Sequence, residues 1–112
     1  MPTNYRRLGA INPSANTQTN VYVVPAATQA VISTVTICNQ TASNLSYSLI
    51  LTSASDFASP AGAAQFIVRG ATVPAADSII LTLGLTANAG SVLAANGSSG
   101  SMSFMAFGSE IT

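Results

Sequence analysis

Few residues of this chain could carry out acid–base, nucleophilic or metal chemistry. Its 112 residues include three arginines, three acids and one cysteine, with no histidine and no lysine. Without histidine, the chain lacks the residue that most often serves as a general base, completes a catalytic triad or binds zinc. One cysteine is too few for a multi-cysteine zinc site or an internal disulfide. We therefore predict a protein that is not an enzyme and that needs no cofactor and no metal.

The charged and reactive side chains that remain have structural interpretations. Asp77 lies in "PAADS", where an aspartate commonly caps a turn through its own side chain. Glu110 is predicted to pair with an arginine or with backbone N–H groups, and Arg69 either pairs with it or reaches a neighbouring molecule. Cys38 is predicted to pack as a small buried hydrophobic residue, because the chain has no histidine to activate it.

The low charge of the chain indicates which partners it has. Charged residues make up 5% of the sequence and the net charge is zero, whereas about 25% charged residues is typical of soluble domains. Three arginines cannot form the basic stripe of a nucleic-acid-binding protein. A basic amphipathic face and an apolar run of about 20 residues are both missing, so we predict no membrane partner. A neutral protein lacks charge repulsion between copies, and we therefore predict a homo-oligomer.

Alternating apolar and hydroxyl-bearing residues predict short β-strands joined by turns rich in Pro, Gly, Asn and Ser. The strand segments are 21–25, 30–39, 45–52, 65–73, 78–85, 91–96 and 102–111, with one short strand around 7–11 and a long loop over 53–64. In the segment 30–39, Val31, Ser33, Val35 and Ile37 are predicted to share one face of the strand.

This spacing predicts an all-β protein: an antiparallel β-sandwich, jelly-roll or Ig-like, of about eight short strands. Residues 1–20 are predicted to form an extended N-terminal arm and residues 21–112 the sandwich domain. An isolated polar arm would stay mobile, so we expect it to contact a neighbouring chain. The predicted interface residues are Tyr5, Arg6 and Arg7 on the arm, together with Arg69. The predicted core comprises Val35, Ile37, Tyr47, Leu49, Leu81, Leu83 and Phe104.

Several sequence motifs are shared with a known class of proteins. They are "YVVPA" (22–26), "CN" (38–39), "PAAD" (74–77), "LTLGL" (81–85) and "SFMAFGSEI" (103–111). With them, residues 8–112 resemble a small β-domain common in virion proteins of tailed bacteriophages. These motifs are structural and not catalytic.

The resemblance implies a place in the virion and leaves two functions open. The first is a capsid decoration (cement) protein on the outer surface of the capsid, made in the host cytoplasm. Its partners would be the major capsid protein and further copies of itself, with a trimer expected at local three-fold positions of the shell. The second is a structural or receptor-facing module of a tail fibre, baseplate or tailspike. The lack of tryptophan argues against a sugar-binding tail module.

Overall fold

The chain folds into β-strands connected by short turns. The computed structural model describes residues 3–53 and 65–112, so the predicted loop over 53–64 lies, apart from Ser53, outside the described residues. The described part of the chain forms eight strands and no α-helix. The strands are β1 (Thr3–Ile11), β2 (Thr19–Val23), β3 (Gln29–Asn39), β4 (Leu45–Ser53), β5 (Phe66–Val73), β6 (Ser78–Ala87), β7 (Ser91–Gly97) and β8 (Met102–Ile111).

The strands form two four-stranded sheets in which every pairing is antiparallel. The first sheet has the order β1-β8-β3-β6 and the second has the order β2-β7-β4-β5. The first strand therefore pairs with the last, the second with the seventh, the third with the sixth and the fourth with the fifth. The predicted all-β antiparallel sandwich is confirmed.

The hydrophobic core contains side chains from both sheets. Five of the seven predicted core residues are buried, namely Val35, Ile37, Tyr47, Leu49 and Phe104. The rings of Tyr47 and Phe104, one from each sheet, lie with their centroids 6.4 Å apart. The other two predictions, Leu81 and Leu83, are only half-buried and pack against the margin of the core. They lie on β6, which among the described strands has a neighbour on one side only.

Strand β3 changes phase at Ser33. Ile32 and Val35 are both fully buried, so the predicted face that joined Val31 and Ser33 to Val35 is wrong. The register between β3 and β8 shifts between Ile32 and Thr34, which marks a β-bulge. The hydroxyl of Ser33 donates a hydrogen bond to the carbonyl oxygen of Phe107 at 3.2 Å. The bulge turns the inward face from even-numbered to odd-numbered positions, so that both ends of the strand contribute to the core.

The segment predicted as an N-terminal arm lies partly within the first sheet. Residues 3–11 form β1, which pairs with β8 along its length and forms one edge of that sheet. The connection to β2 is held at Asn16, whose N–H donates to the carbonyl oxygen of Gly97 at 2.7 Å. Strand β2 then begins at Thr19, two residues before the predicted domain boundary. Pairing with β8 satisfies backbone groups that a free arm would leave to water.

Candidate functional site

Three of the four predicted interface residues are consecutive on β1. Successive side chains of a strand point to opposite faces of the sheet, so Arg6 lies on one face while Tyr5 and Arg7 lie on the other. In the pairing with β8, Arg6 is opposite Gly108, and Arg7 is opposite Phe107. One strand thus supplies both an inward contact and an exposed surface.

The inward contact is a cluster of three polar side chains from three strands. Nε of Arg6 donates to Oε1 of Glu110 at 2.7 Å, and the hydroxyl of Tyr22 donates to Oε2 of the same carboxylate at 2.5 Å. Glu110 and Tyr22 are 8% and 6% exposed, whereas the side chain of Arg6 is half exposed. Because Tyr22 belongs to the second sheet and the other two residues to the first, the cluster joins the sheets.

The electrostatics of the cluster fix its protonation. The hydrogen bond from Arg6, and then that from Tyr22, lowers the pKa of Glu110 below its ordinary value. Burial, and then the hydrogen bond to Glu110, raises the pKa of Tyr22 well above its ordinary value. At neutral pH the carboxylate is therefore ionised and the phenol protonated. With both oxygens accepting hydrogen bonds, this carboxylate serves to hold strands together and is poorly placed to act as a general base.

The exposed surface is the outer face of the first sheet. We define the outer face by the outward residues of its four strands: Tyr5, Arg7 and Ala10 of β1, Met105 and Phe107 of β8, Val31, Thr34 and Thr36 of β3, and Ile80 and Thr82 of β6. Tyr5 is 83% exposed and Ile80 is 68% exposed. Arg7 is its only charged residue, and among the described residues its guanidinium has no hydrogen-bond or ion-pair partner.

Arg69, the fourth predicted interface residue, lies away from the other three. It is on β5, at the edge of the second sheet that is farthest from β2, and it is exposed. Its guanidinium carbon lies 4.6 Å above the centroid of the Phe66 ring, a cation–π arrangement. The structure therefore pairs Glu110 with Arg6 and not with Arg69.

Two further sequence predictions concern Asp77 and Cys38. Asp77 caps its turn as predicted, since its Oδ1 accepts a hydrogen bond from the backbone N–H of Ser78 at 2.7 Å. Cys38 is half-buried, which differs from the predicted buried position. The bulge at Ser33 places the inward face of β3 at Val35, Ile37 and Asn39, and Cys38 falls between the last two.

Asn39 is a buried polar residue that the sequence analysis did not single out. Its side-chain amide donates to the carbonyl oxygens of Ser43, Val73 and Pro74 at 2.7, 3.2 and 3.1 Å. Its Oδ1 accepts hydrogen bonds from the N–H and the hydroxyl of Thr41 at 2.9 and 2.8 Å. One amide thus ties the β3–β4 turn to the β5–β6 turn. The signal in the sequence is an asparagine at the end of an apolar strand, directly before the turn "QTASN".

The cavities lined by the described residues carry few chemically reactive side chains. One, about 450 Å³, is lined by Ala27, Thr28, Gln29, Asn88, Ala89, Ile111 and Thr112, and none of these side chains is acidic, basic or a thiol. A second cavity of about 130 Å³ is lined mainly by hydroxyl and amide groups, from Asn16, Ser46, Ser48, Asn96 and Ser98. Within residues 3–53 and 65–112, no cluster of three or more metal-ligating side chains occurs. No helix in these segments has the length and apolar character of a membrane span.

Comparison with known proteins adds no family assignment. No protein-family model matches the chain, and no curated protein matches its sequence.

Proposed function

We propose that this protein is a non-enzymatic structural protein of a tailed-phage virion, a decoration protein that binds the outer surface of the capsid. The observation that carries the proposal is the strand order. The first strand pairs with the eighth, the second with the seventh, the third with the sixth and the fourth with the fifth. This pairing results when one long hairpin is wound into two sheets. We assign this order to the jelly-roll architecture, which is frequent among viral capsid proteins.

The surface chemistry supports a role in assembly. The outer face carries hydroxyl and apolar side chains with Arg7 as its only charge, and such groups cost less to remove from water than ion pairs do. We propose that this face lies against the major capsid protein and that Arg7 binds an acidic side chain of the shell. Contacts made only in the assembled state would stabilise the intact head.

One cavity favours the alternative function, a receptor-facing module of a tail fibre, baseplate or tailspike. The cavity between Asn16, Ser46 and Asn96 is lined by hydroxyl and amide groups, which suit the hydrogen-bonding pattern of sugar hydroxyls. Among the described residues, no aromatic ring lies open beside it as a stacking platform, because Tyr47, which also lines it, is only 4% exposed. We therefore rank the decoration function first.

The position and copy number of the protein on purified particles test the proposal. Imaging at subunit resolution should show many copies over the head shell, and heads stripped of the protein should release their DNA at a lower temperature. A handful of copies at one vertex or on the tail would contradict the decoration function and support the tail module.

Point variants test the proposed contact face. Arg7→Ala and Tyr5→Ala should lower occupancy on the shell, whereas Arg69→Ala, on the other sheet, should leave it unchanged. Deleting residues 2–7 is a poorer test, because it also removes part of β1 and the Arg6–Glu110 ion pair. Unchanged occupancy of both β1 variants, with their folding checked by circular dichroism, would exclude this face as the contact.

A further inference from the structure

The two sheets have four edge strands, and three of them combine two or more features that hinder pairing with another chain. Natural proteins protect sheet edges with charges, bulges, proline and short strands. Strand β1 carries Arg6 and Arg7 and a register shift after Arg7. Strand β2 has only five residues and a register shift. Strand β5 carries Arg69, a positive-φ glycine at 70 and two register shifts against β4.

The fourth edge, β6, has only one of these features, a register shift against β3 between Ile32 and Thr34. It is ten residues long, Ser78–Ala87, and contains no charged residue and no proline. Exposed and half-buried side chains alternate without a break until Ala87, which is buried. Among the described residues it pairs with β3 alone, so the backbone N–H and C=O groups of its other side are open to a further strand.

The inward side chains of β6 show that the core is incomplete at this edge. Ile79, Leu81, Leu83 and Leu85 pack against the core but are all only half-buried. Ile37 and Val35 of β3, which lie opposite Ile79 and Leu81, are fully buried. A strand added beside β6 would cover the exposed part of this row and satisfy the free backbone groups at the same time.

We propose that β6 pairs antiparallel with β6 of a second copy of this chain, joining two first sheets into one eight-stranded sheet. The inference extends beyond the proposed function, because it holds for the free protein whether or not it binds a capsid. In an antiparallel pair about a two-fold axis, the same faces meet, so the half-buried leucines of both copies lie together and Thr82 faces hydroxyl-bearing or apolar neighbours.

The chemistry of the strand favours a second copy over a different partner. A strand without charge offers no complementary pattern by which an unrelated chain would be selected, and two copies meet without like-charge repulsion. The contact uses the same surface on both molecules and closes at two copies. The trimer predicted from the sequence would require a head-to-tail contact between two different surfaces instead.

The experiment compares two matched substitutions by sedimentation equilibrium of the purified full-length chain. Thr82→Lys places a charge on β6 opposite Thr34, and Thr72→Lys places the same charge on β5 opposite Ser46. Both threonines are exposed on edge strands, so neither change should disturb the fold. We expect the wild-type chain and Thr72→Lys to be dimers. For Thr82→Lys we expect the dissociation constant of the dimer to be higher by about tenfold or more.

Amide hydrogen exchange gives an independent measurement of the same contact. Protection of residues 78–87 should rise with protein concentration, while that of residues 66–73 should not. A wild-type monomer at every concentration, a trimer, or equal weakening by both lysine variants would overturn the proposal. A wild-type monomer whose residues 78–87 become protected only when shells are added would also overturn it, because the edge would then belong to a different chain. Failure to bind capsids, with the dimer intact, would contradict only the proposed function.

Discussion

The hydroxyl of Tyr22 lies 2.5 Å from Oε2 of Glu110, and this hydrogen bond connects the second sheet to the first. The two residues are 88 positions apart in the sequence. A buried carboxylate is stable only when its oxygens accept hydrogen bonds. Glu110 accepts one from an edge strand of each sheet, β1 and β2. The cluster therefore couples β1 and β2 to β8, the last strand.

Substituting Tyr22 tests the strength of this link. Tyr22→Phe removes the hydroxyl from a buried, charge-assisted hydrogen bond and should lower the free energy of unfolding by about 1.5–3 kcal/mol. Arg6→Ala should cost less, because water already screens its half-exposed side chain. Tyr5→Phe, at an exposed position, is the control and should change stability by less than about 0.5 kcal/mol. Chemical denaturation measures all three, and an equal loss for both tyrosine variants would contradict the link.

The same cluster predicts how stability depends on pH. The pKa of Glu110 is lower in the folded than in the unfolded chain, so its contribution is complete above the ordinary glutamate pKa. That contribution is lost as the pH falls through the lowered value, because the unfolded state then binds more protons. Glu110→Gln should be less stable than the wild-type chain at neutral pH. It should also lose less stability than the wild-type chain between about pH 5 and pH 2, the interval around the ordinary carboxyl pKa of roughly 4. Parallel pH profiles for the two proteins would show that Glu110 does not supply this dependence.

Asn39 provides a test of the two turns that it connects. Asn39→Asp keeps the shape of the side chain but places a carboxylate against the carbonyl oxygens of Ser43, Val73 and Pro74. We expect a loss of about 3 kcal/mol or more at pH 7, since the hydrogen bonds that the amide donates to three carbonyl oxygens become repulsive contacts. The matched control is Asn88→Asp in an exposed turn, which should change stability by less than about 0.5 kcal/mol. Thermal unfolding gives the melting temperatures of both variants, and comparable values would contradict the role of Asn39 in joining the two turns.

Local sequence information predicted the strands, because alternation of apolar and polar residues is a property of each segment alone. The segments around 30–39, 45–52 and 102–111 are all strands in the structure. The turn at Asp77 was also predictable, since the carboxylate bonds to the backbone of the next residue. These features depend on neighbours within a few positions.

The features that the sequence analysis missed depend on contacts between distant segments. The bulge at Ser33 arises where β3 must match β8 and β6 together, and nothing in "VISTV" marks it. The choice of Arg6 over Arg69 as the partner of Glu110 follows from the pairing of the first strand with the last. Leu81 and Leu83 alternate like core residues, but their burial depends on whether a strand lies on both sides of β6.

Two leucine substitutions compare the complete core with its margin. Leu49 is fully buried, so Leu49→Ala should cost about 2–5 kcal/mol through lost burial and the cavity that remains. Leu83→Ala removes the same atoms from a half-buried site and should cost about 1 kcal/mol in the monomer. Denaturant titration at low protein concentration gives both values. A larger loss for Leu83 than for Leu49 would contradict the description of β6 as the open margin of the core.

Two glycines in strands distinguish close backbone packing from open space. A Cβ atom at Gly108 would overlap the carbonyl oxygen of Val31, whereas one at Gly84 would meet nothing within 4 Å. The overlap arises beside the bulge of β3, where β8 and β3 approach closely and neither backbone can move without disturbing the register. Gly108→Ala should therefore cost about 3 kcal/mol or more, while Gly84→Ala should gain about 0.5 kcal/mol by restricting the unfolded chain. Calorimetry of the two variants measures this contrast. Equal stabilities would mean that the two strands separate at little cost, and that the bulge at Ser33 does not hold them in register.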